Sequence, residues 1–440
     1  MFNGYHILLK FFKNGYKGND YNKNDYLHHE KHSIEGDLQG VLEKIDYLKD
    51  LGIDLVYLGP IYDAETTHAY DTKDYFSISE NLAYKDKSKS EDLLRELIKE
   101  FHKNGIKVIL DLVLNHASKN YKFENIPFDL IPKTESPQTA QEKRWQSLFL
   151  FWDVSDLQTK EFLIRVGEYW LEKFDIDGYR LDHAIGLPTS FWFDFSNRMK
   201  NIKKDVVLLG EIWDDQGSDE ENYNLINNFL FFKNENVFTS LFDFSFYSKL
   251  VTILTKNQDL KLLYNAIVES DKLNFEKAKM TYFIENHDLP RFIDYNDYYD
   301  DFKIALSTIF VMNGNLMLEY GNEICIKGDK SYKYFNESGR IPMKFENEWD
   351  KENRYTYNYT KKLIDLRKKE AIMKHGKYKY LNSSNNFLYF SKIFDDNELN
   401  ILFVKEKISN ITNKEFINLI DEKKYSKMDY LNSGVYFFYN

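Results

Sequence analysis

Short apolar runs alternate along the chain with stretches whose apolar residues recur at helical spacing. Eight runs predict strands: YHILLKFF (5–12), IDLVYLGP (53–60), IKVILDLVLNH (106–116), IDGYRLD (176–182), VVLLGE (206–211), VFTSLFDF (237–244), KAKMTYFIENHD (277–288) and GNLMLEYG (314–321). Alternation of strands and helices indicates parallel strands joined by right-handed crossovers. The pattern predicts an α/β protein with a closed (β/α)8 TIM barrel. An open doubly wound sheet is the alternative, but no GxGxxG follows the first strand.

The helical stretches between the strands carry start and stop signals. LQGVLEKIDYLKDLG begins at Leu38 and stops at Gly52. SEDLLRELIKEFHKNG has Ser90 as its predicted N-cap and Gly105 as its stop. KEFLIRVGEYWLEKF (160–174) is the helix before the fourth strand.

Two segments depart from this alternation. A polar, irregular insert follows the third strand, and after about Gly376 the chain turns to alternating apolar residues with turn signals, as in YKYLNSSNNFLYFSKIF and LNILFVKEK. We therefore predict a barrel (1–116 and 159–370), an inserted B domain (117–158) and a small C-terminal β domain (371–440).

Composition narrows the class of function. The formal net charge is −11, which argues against nucleic acid or an anionic membrane as the partner and is compatible with a neutral ligand. Cys325 is the only cysteine, so no intrachain disulfide can form. No run approaches the ~20 apolar residues of a membrane span, and the N-terminus lacks the features of a signal peptide. We expect a cytoplasmic monomer or weak homo-oligomer.

Candidate chemistry collects where the predicted strands end, which is where barrels of this kind carry their active sites. The residues at these ends are His68, Tyr70 and Asp71 after the second strand, Asn115 and His116 after the third, Arg180 and Asp182 at the fourth, Glu211 at the fifth, and Asn286, His287 and Asp288 at the seventh. Folding of a barrel requires no such set. Carboxylates that share a pocket raise one another's pKa, so one can hold a proton while another stays ionised.

Such a pair of carboxylates is what cleavage of a glycosidic bond requires. Arg180 keeps its proton and would hold Asp182 ionised and oriented. Taken alone, the RLD stretch is typical of a structural ion pair. Together with the other residues at the strand ends, it favours a nucleophile and the group that holds it.

Four stretches occur in an order that resembles the signatures of the alpha-amylase family, glycoside hydrolase family 13. They are DLVLNH (111–116), GYRLDHA (178–184), GEIW (210–213) and FIENHD (283–288). SDLQ (155–158) is similar to the family's fifth motif, with Ser for Pro and Gln for Asn. The resemblance covers roughly residues 1 to 365, and the insert lies where the family has its B domain.

The resemblance implies a retaining alpha-glucan hydrolase that cleaves α-1,4-glucosidic bonds of starch, glycogen or maltooligosaccharides and uses no organic cofactor. It implies that Asp182 is the nucleophile, Glu211 the general acid/base and Asp288 the transition-state stabiliser. The implied substrate-binding residues are Tyr70, which would stack under the sugar ring, and Asp71, His116, Arg180, His287 and Arg291.

NGYKGND (14–20), GDLQG (36–40) and PIYDAETTHAYDTKDY (60–75) look most like the neopullulanase and cyclomaltodextrinase branch. In that branch the first loop binds calcium, and the matching positions here are Asn14, Asn19, Asp20 and Asp37, with Tyr16 where an Asp is usual. Oxygen-rich sets of this kind suit Ca²⁺, and a polar loop without metal is the alternative. Members of the branch usually carry an N-terminal β domain, whereas this chain starts at the barrel. We therefore expect a more open cleft.

After Asp182 the chain reads His183, Ala184, Ile185, Gly186, whereas many amylases carry a Lys–His pair at the last two places. That pair contacts the acceptor-side sugar and the main calcium site, so its replacement argues against both. His183 replaces a small residue; it either packs, the reading we favour, or tunes Asp182. Three other functions stay open: a 4-alpha-glucanotransferase, a cyclomaltodextrinase or neopullulanase, and a non-catalytic sugar-binding relative. Relatives of the last kind typically lack the carboxylates.

Overall fold

The computed structural model describes residues 1–20, 32–122, 139–332, 337–412 and 414–439. Eight of its strands form a closed barrel: β1 Asn3–Ile7, β2 Leu55–Leu58, β3 Lys107–Leu112, β4 Gly178–Leu181, β5 Val207–Gly210, β6 Ser240–Phe242, β7 Lys279–Tyr282 and β8 Asn315–Glu319. Their order around the barrel is β1-β8-β7-β6-β5-β4-β3-β2. The predicted TIM barrel is therefore confirmed.

The barrel strands form because each is an apolar run that is buried on both faces, as parallel strands under helices must be. Leu55 to Leu58 of β2 are all buried, and the run pairs in parallel with β3, Leu55 opposite Lys107. β3 in turn pairs with β4, and Asp111 lies opposite Arg180. This register brings a carboxylate and a guanidinium side by side near the carboxyl ends of two neighbouring strands.

Helices connect the strands. They are α1 Leu9–Phe12, α2 Leu38–Leu42, α3 Ile45–Leu51, α4 Lys87–Lys103, α5 Ala140–Trp145, α6 Leu157–Phe174, α7 Thr189–Ile202, α8 Asp219–Leu230, α9 Phe244–Thr255, α10 Lys261–Asp271, α11 Tyr299–Val311, α12 Lys351–Lys369 and α13 Ala371–His375. The predicted stop at Gly52 is confirmed, because that residue caps α3 in the left-handed conformation.

Three local expectations were wrong. The first apolar run is not one strand, since β1 ends at Ile7 and α1 follows. The predicted helix from Leu38 is divided into α2 and α3. The N-cap of α4 is Asp86, whose side chain accepts from the Lys89 N–H, because the Ser90 hydroxyl is instead bonded to the Tyr84 carbonyl at 2.7 Å.

The insert after β3 combines a hairpin with a helix in its described part. His116–Ser118 pairs with Phe149–Phe151, and α5 lies between these strands in sequence. Thr139 caps α5 through a capping box with Glu142. Residues 123–138 of the predicted 117–158 insert lie outside the described residues, and its bounds stay a prediction.

The chain after α13 forms an antiparallel sheet of four strands, β9 Lys377–Ser384, β10 Phe387–Phe394, β11 Asn397–Val404 and β12 Gly434–Tyr439. Short pairs join Ile408–Ser409 with Tyr430–Leu431 and Phe416–Ile417 with Lys424–Tyr425. The sheet buries one cluster made of Leu402, Val404, Phe416, Leu431, Tyr436 and Phe438. The predicted C-terminal β domain is confirmed as a sheet.

Contacts divide the residues into two compact units. The first comprises Gly4–Phe242 with Arg340–Met343, and the second comprises Met1–Asn3, Asp243–Gly339 and Lys344–Asn440. The second unit thus holds β7, β8 and the C-terminal sheet together. Residue 370 lies inside the second compact unit rather than at its edge. The predicted domain limits stay a prediction.

Two buried cations of the second unit bind the end of α11. Lys392 of β10 donates to the Val311 carbonyl at 2.6 Å, and Arg367 of α12 donates to the Phe310 carbonyl at 2.6 Å and the Met312 carbonyl at 2.8 Å. The last carbonyls of a helix have no partners within it, so cations there are stabilising. Burial lowers the pKa of Lys392 well below its usual value, and Arg367 lowers it further.

None of the described helices combines the length and the apolar character that crossing a bilayer requires.

Candidate active site

Arg180 lies on β4, in the first compact unit. It contacts two of the three predicted catalytic carboxylates. Its Nη1 donates to Asp182 Oδ1 at 2.6 Å and to both oxygens of Asp111 at 3.1 Å. Its Nη2 lies 2.8 Å from Glu211 Oε2. The Arg180 side chain is only 2% exposed. Asp182 and Glu211 are therefore fixed by the two ends of one guanidinium.

The charges around Arg180 decide its ionisation. Burial by itself would lower the Arg180 pKa, but the attraction of Asp111, Glu211 and Asp182 raises it well above its usual value. The guanidinium is therefore a permanent cation inside the protein. It places a fixed positive charge beside all three carboxylates.

Glu211 receives two further donors. The His183 backbone N–H donates to Glu211 Oε2 at 2.8 Å, and the Trp213 indole N–H donates to Glu211 Oε1 at 3.2 Å. Glu211 and Asp182 are 4% and 6% exposed, so both carboxyl groups are largely shielded from water. Two buried carboxyl groups on one cation can divide the tasks of acid and nucleophile.

Tyr70 reaches the same cluster through Asp111, which the sequence reasoning did not select. The Tyr70 hydroxyl donates to Asp111 Oδ2 at 2.8 Å, and the Tyr57 hydroxyl makes a second, shorter bond to the same oxygen. The Arg180 guanidinium carbon lies 5.8 Å from the centre of the Tyr70 ring. Asp111 is fully buried, so it positions Arg180 and Tyr70 from behind. A charged residue within the apolar run VILDLVL was the signal that could have identified it.

His116 lies among aromatic rings of the insert. Its ring centre is 4.4 Å from that of Phe149 and 5.9 Å from that of Trp145. The preceding Asn115 donates to Glu142 Oε1 at 2.9 Å. The His116 ring is thus buried against the rings of the insert. The predicted contact of His116 with substrate stays a prediction.

His287 and Asp288, predicted after the seventh strand, belong to the second compact unit. His287 Nε2 lies 3.0 Å from Asp288 Oδ2, and the Asp288 side chain is 36% exposed while His287 is buried. Asp288 follows β7 in sequence, as predicted. Its role in the transition state stays a prediction.

Arg291 lies in the interior of the second unit, where it is 1% exposed. Its guanidinium donates to Glu285 at 2.8 Å, to the Tyr320 carbonyl at 2.7 Å and to the Gly339 carbonyl at 2.9 Å. Burial raises the pKa of Glu285 to about 7, although Arg291 opposes that shift. These bonds favour a structural role for Arg291 over the predicted contact with substrate.

The Asp71 carboxylate forms hydrogen bonds within its own loop. Its Oδ1 accepts from the Thr66 hydroxyl at 2.7 Å and from the Thr66 N–H at 3.2 Å. His68 Nδ1 accepts the Tyr70 N–H at 3.1 Å. These bonds shape the loop that carries Tyr70, and a direct contact of Asp71 with substrate stays a prediction.

The four predicted calcium ligands lie close together, but they are not equivalent. The side-chain oxygens of Asn14 and Asn19 are buried and have no hydrogen-bond partner within the described residues. Asp20 accepts from the Asn14 amide at 2.7 Å. The Asp37 carboxylate is already used in hydrogen bonds, because it accepts the N–H groups of Gly15, Tyr16 and Gly40. The loop therefore fits an oxygen-seeking cation through Asn14, Asn19 and Asp20, whereas Asp37 already caps α2.

Comparison with known proteins agrees with this geometry. The family model described as "Alpha amylase, catalytic domain" matches residues 6–152 and 150–376. A cyclomaltodextrinase from Thermoanaerobacter pseudethanolicus is 29% identical over 446 residues, which cover 96% of this chain and 72% of that protein. An intracellular maltogenic amylase from Bacillus subtilis is 26% identical over 88% of this chain and 65% of its own length. An alpha-amylase from Anoxybacillus has a similar structure, with 26% identity, a TM-score of 0.82, and coverage of 100% of this chain and 98% of its own.

Proposed function

The chain belongs to the alpha-amylase family, in its cyclomaltodextrinase-like branch, and from this premise we propose that it is a retaining alpha-glucan hydrolase. Its substrates are oligo- or polysaccharides with α-1,4-glucosidic bonds. The observation that carries the proposal is the attachment of Asp182 and Glu211 to one guanidinium, that of Arg180. A non-catalytic relative would have no use for two buried carboxyl groups held at the ends of neighbouring strands.

In this proposal Asp182 attacks the anomeric carbon and forms a covalent glycosyl-enzyme. Glu211 protonates the departing glycosidic oxygen and then takes a proton from the water that releases the sugar. Arg180 holds the Asp182 carboxylate ionised and aimed while Tyr70 offers its ring to the sugar. Asp288, the most exposed of the three carboxylates, assists in the transition state.

The second candidate is a cyclomaltodextrinase, which would use the same glycosyl-enzyme on a cyclic substrate. The relative that covers 96% of this chain carries that name. The two candidates differ in the shape of the cleft rather than in their catalytic groups. The same carboxylates also serve a 4-alpha-glucanotransferase, where a second sugar replaces water.

A timed incubation with maltoheptaose tests the proposal. We expect short products and a steady rise in new reducing ends. Products both longer and shorter than the substrate, with constant reducing ends, would identify a glucanotransferase. Faster cleavage of β-cyclodextrin than of maltoheptaose would favour the cyclomaltodextrinase. If maltoheptaose, β-cyclodextrin, pullulan and starch all stayed intact, the proposal would be overturned.

Two lesser assignments accompany this function. A Ca²⁺ ion would be held by Asn14, Asn19 and Asp20, and it would stabilise the first loop rather than take part in bond cleavage. The protein acts in the cytoplasm, as the name of the intracellular relative from Bacillus subtilis suggests. Fractionation of the source cells tests the second assignment.

A further inference from the structure

His183, the residue after the nucleophile Asp182, has an unusual backbone. Its φ of 39° and ψ of 47° lie in the left-handed region, which residues with a side chain adopt only at a cost. The side chain is also buried, since the residue is only 2% exposed. Strain of this kind persists where the surrounding structure holds it, and it concentrates at functional sites.

The left-handed conformation directs the His183 N–H to Glu211. This N–H donates to Glu211 Oε2 at 2.8 Å, and Arg180 Nη2 lies 2.8 Å from the same oxygen. Two donors on Oε2 disfavour a proton there. The proton that Glu211 delivers as an acid therefore belongs on Oε1, the oxygen beside the Trp213 indole.

The imidazole ring of His183 is held by the insert. Its centre lies 5.1 Å from that of Trp145 in an edge-to-face contact, and Nε2 lies 3.3 Å from the Thr139 hydroxyl. Thr139 and Trp145 are the N-cap and the last residue of α5. Glu142 of the same helix accepts from Asn115. The insert is thus tied to the loop that carries Asp182 through Thr139 and Trp145, and to the end of β3 through Asn115.

We propose that His183 is a positioning residue for the general acid. Its ring, held between Thr139 and Trp145, keeps the backbone left-handed, and the backbone N–H then fixes Glu211 with Oε1 turned to the leaving oxygen. This proposal rests on the proposed hydrolase function. It also makes α5 of the insert part of the support for the acid rather than only a wall of the cleft.

A matched pair of variants separates the effect of the His183 backbone conformation from the effect of its side-chain packing. His183→Ala and His183→Asn both remove the ring from Trp145, but Asn tolerates the left-handed region much better than Ala. For His183→Ala we expect kcat on maltoheptaose to fall about tenfold, as for loss of one bond to a charged group. The alkaline limb of its pH–rate profile should move to higher pH, because a lost donor raises the pKa of a carboxyl group. His183→Asn should stay within about threefold of wild type on this scale.

α-Maltosyl fluoride provides the second readout, because fluoride leaves without a proton from Glu211. Both variants should release fluoride in the first turnover at close to the wild-type rate, because only the later hydrolysis of the glycosyl-enzyme needs Glu211 as a base. Equal losses in the two variants, with an unchanged alkaline limb, would overturn the proposal and assign the ring to packing alone. If His183→Ala does not fold, His183→Ser, which suits the left-handed region equally poorly, replaces it, and an unshifted limb there would likewise overturn the role. A wild-type protein that cleaves neither substrate would instead overturn the hydrolase function.

Discussion

Arg180 and Asp182 lie two positions apart at the end of one barrel strand and are joined by a hydrogen bond of 2.6 Å. The two side chains meet because the same guanidinium also binds Asp111 on the neighbouring strand. Asp111 anchors one side of Arg180, so the proposed nucleophile Asp182 is held by a group that is itself fixed. The reactivity of Asp182 and the stability of the barrel are therefore coupled at Arg180.

Replacement of Asp182 by Asn should abolish turnover while the fold is kept. The amide cannot form the glycosyl ester, and loss of a nucleophile costs on the order of 10⁴ in kcat or more. Arg180 keeps two carboxylates, and the repulsion among three is relieved, so we expect thermal stability equal to or above that of wild type. Maltoheptaose turnover and a thermal melt measure both effects. More than about a hundredth of wild-type kcat would exclude Asp182 as the nucleophile.

Replacement of Glu211 by Gln should remove the alkaline limb of the pH–rate profile. A general acid contributes about 10²- to 10⁴-fold, so kcat on maltoheptaose should fall by that factor. Release of fluoride from α-maltosyl fluoride in the first turnover should fall much less, because this leaving group needs no proton, whereas later turnovers stay slow because Glu211 also activates the water. A profile that keeps its alkaline limb would assign the acid to another residue.

Tyr70 contributes its ring more than its hydroxyl. Tyr70→Phe loses one bond to Asp111 but keeps the ring face beside Arg180, and we expect kcat/KM within a few fold of wild type. Tyr70→Ala loses the ring, and a buried aromatic contact of roughly 1.5–3 kcal/mol corresponds to a loss of about 10- to 100-fold. Similar losses in both variants would show that the hydroxyl matters more.

Stability should fall as pH rises toward neutrality because of Glu285. Its pKa is about 7 in the folded protein and 4.5 as an ordinary glutamate. Between these values the folded state binds more protons than the unfolded state, so the stability present below pH 4.5 is lost as pH rises through 7. The loss amounts to roughly 3 kcal/mol for this group. Urea unfolding across this range should show a flatter dependence for Glu285→Gln, and identical slopes would contradict the prediction.

Calcium should stabilise the first loop. We expect added Ca²⁺ to raise the Tm by a few degrees and EDTA to reverse the change, as for any ligand that binds only the folded state. Asn19→Ala should remove the response, because it deletes one of the two buried amide oxygens. Asp37→Ala should lower the Tm with or without Ca²⁺, because Asp37 caps α2. An Asn19→Ala protein that still responds would exclude this ligand set.

Much of the fold could be predicted because eight apolar runs alternate with helical stretches, and parallel strands covered by helices bury such runs on both faces. Local boundaries were less predictable. Ser90 is a good N-cap by type, but its hydroxyl is used by the Tyr84 carbonyl, so α4 begins at Lys87 after Asp86. β1 is short because the chain turns into α1 after Leu8, a change that an apolar run does not signal.

The candidate site, like the fold, could be predicted in part from the sequence. Asp182 and Glu211 follow the ends of β4 and β5. These two strands are neighbours in the barrel, so both carboxylates can reach Arg180. Asp111 was not selected because it lies inside an apolar run, although it bonds directly to the predicted residues Arg180 and Tyr70. His183 was interpreted as packing or as tuning Asp182, whereas its N–H bonds to Glu211. That bond depends on a backbone angle, which residue type alone does not give.

The cations at the end of α11 bear on the order in which the chain folds during synthesis. Folding on the ribosome proceeds from the N-terminus, yet the last carbonyls of this helix find their partners in Arg367 and Lys392, on later elements. Lys392 lies on β10, well inside the C-terminal sheet. The helix that follows β7 therefore gains these partners only in steps, from Arg367 first and from Lys392 later, and a chain that stops between the two residues leaves the Val311 carbonyl without its bond from Lys392.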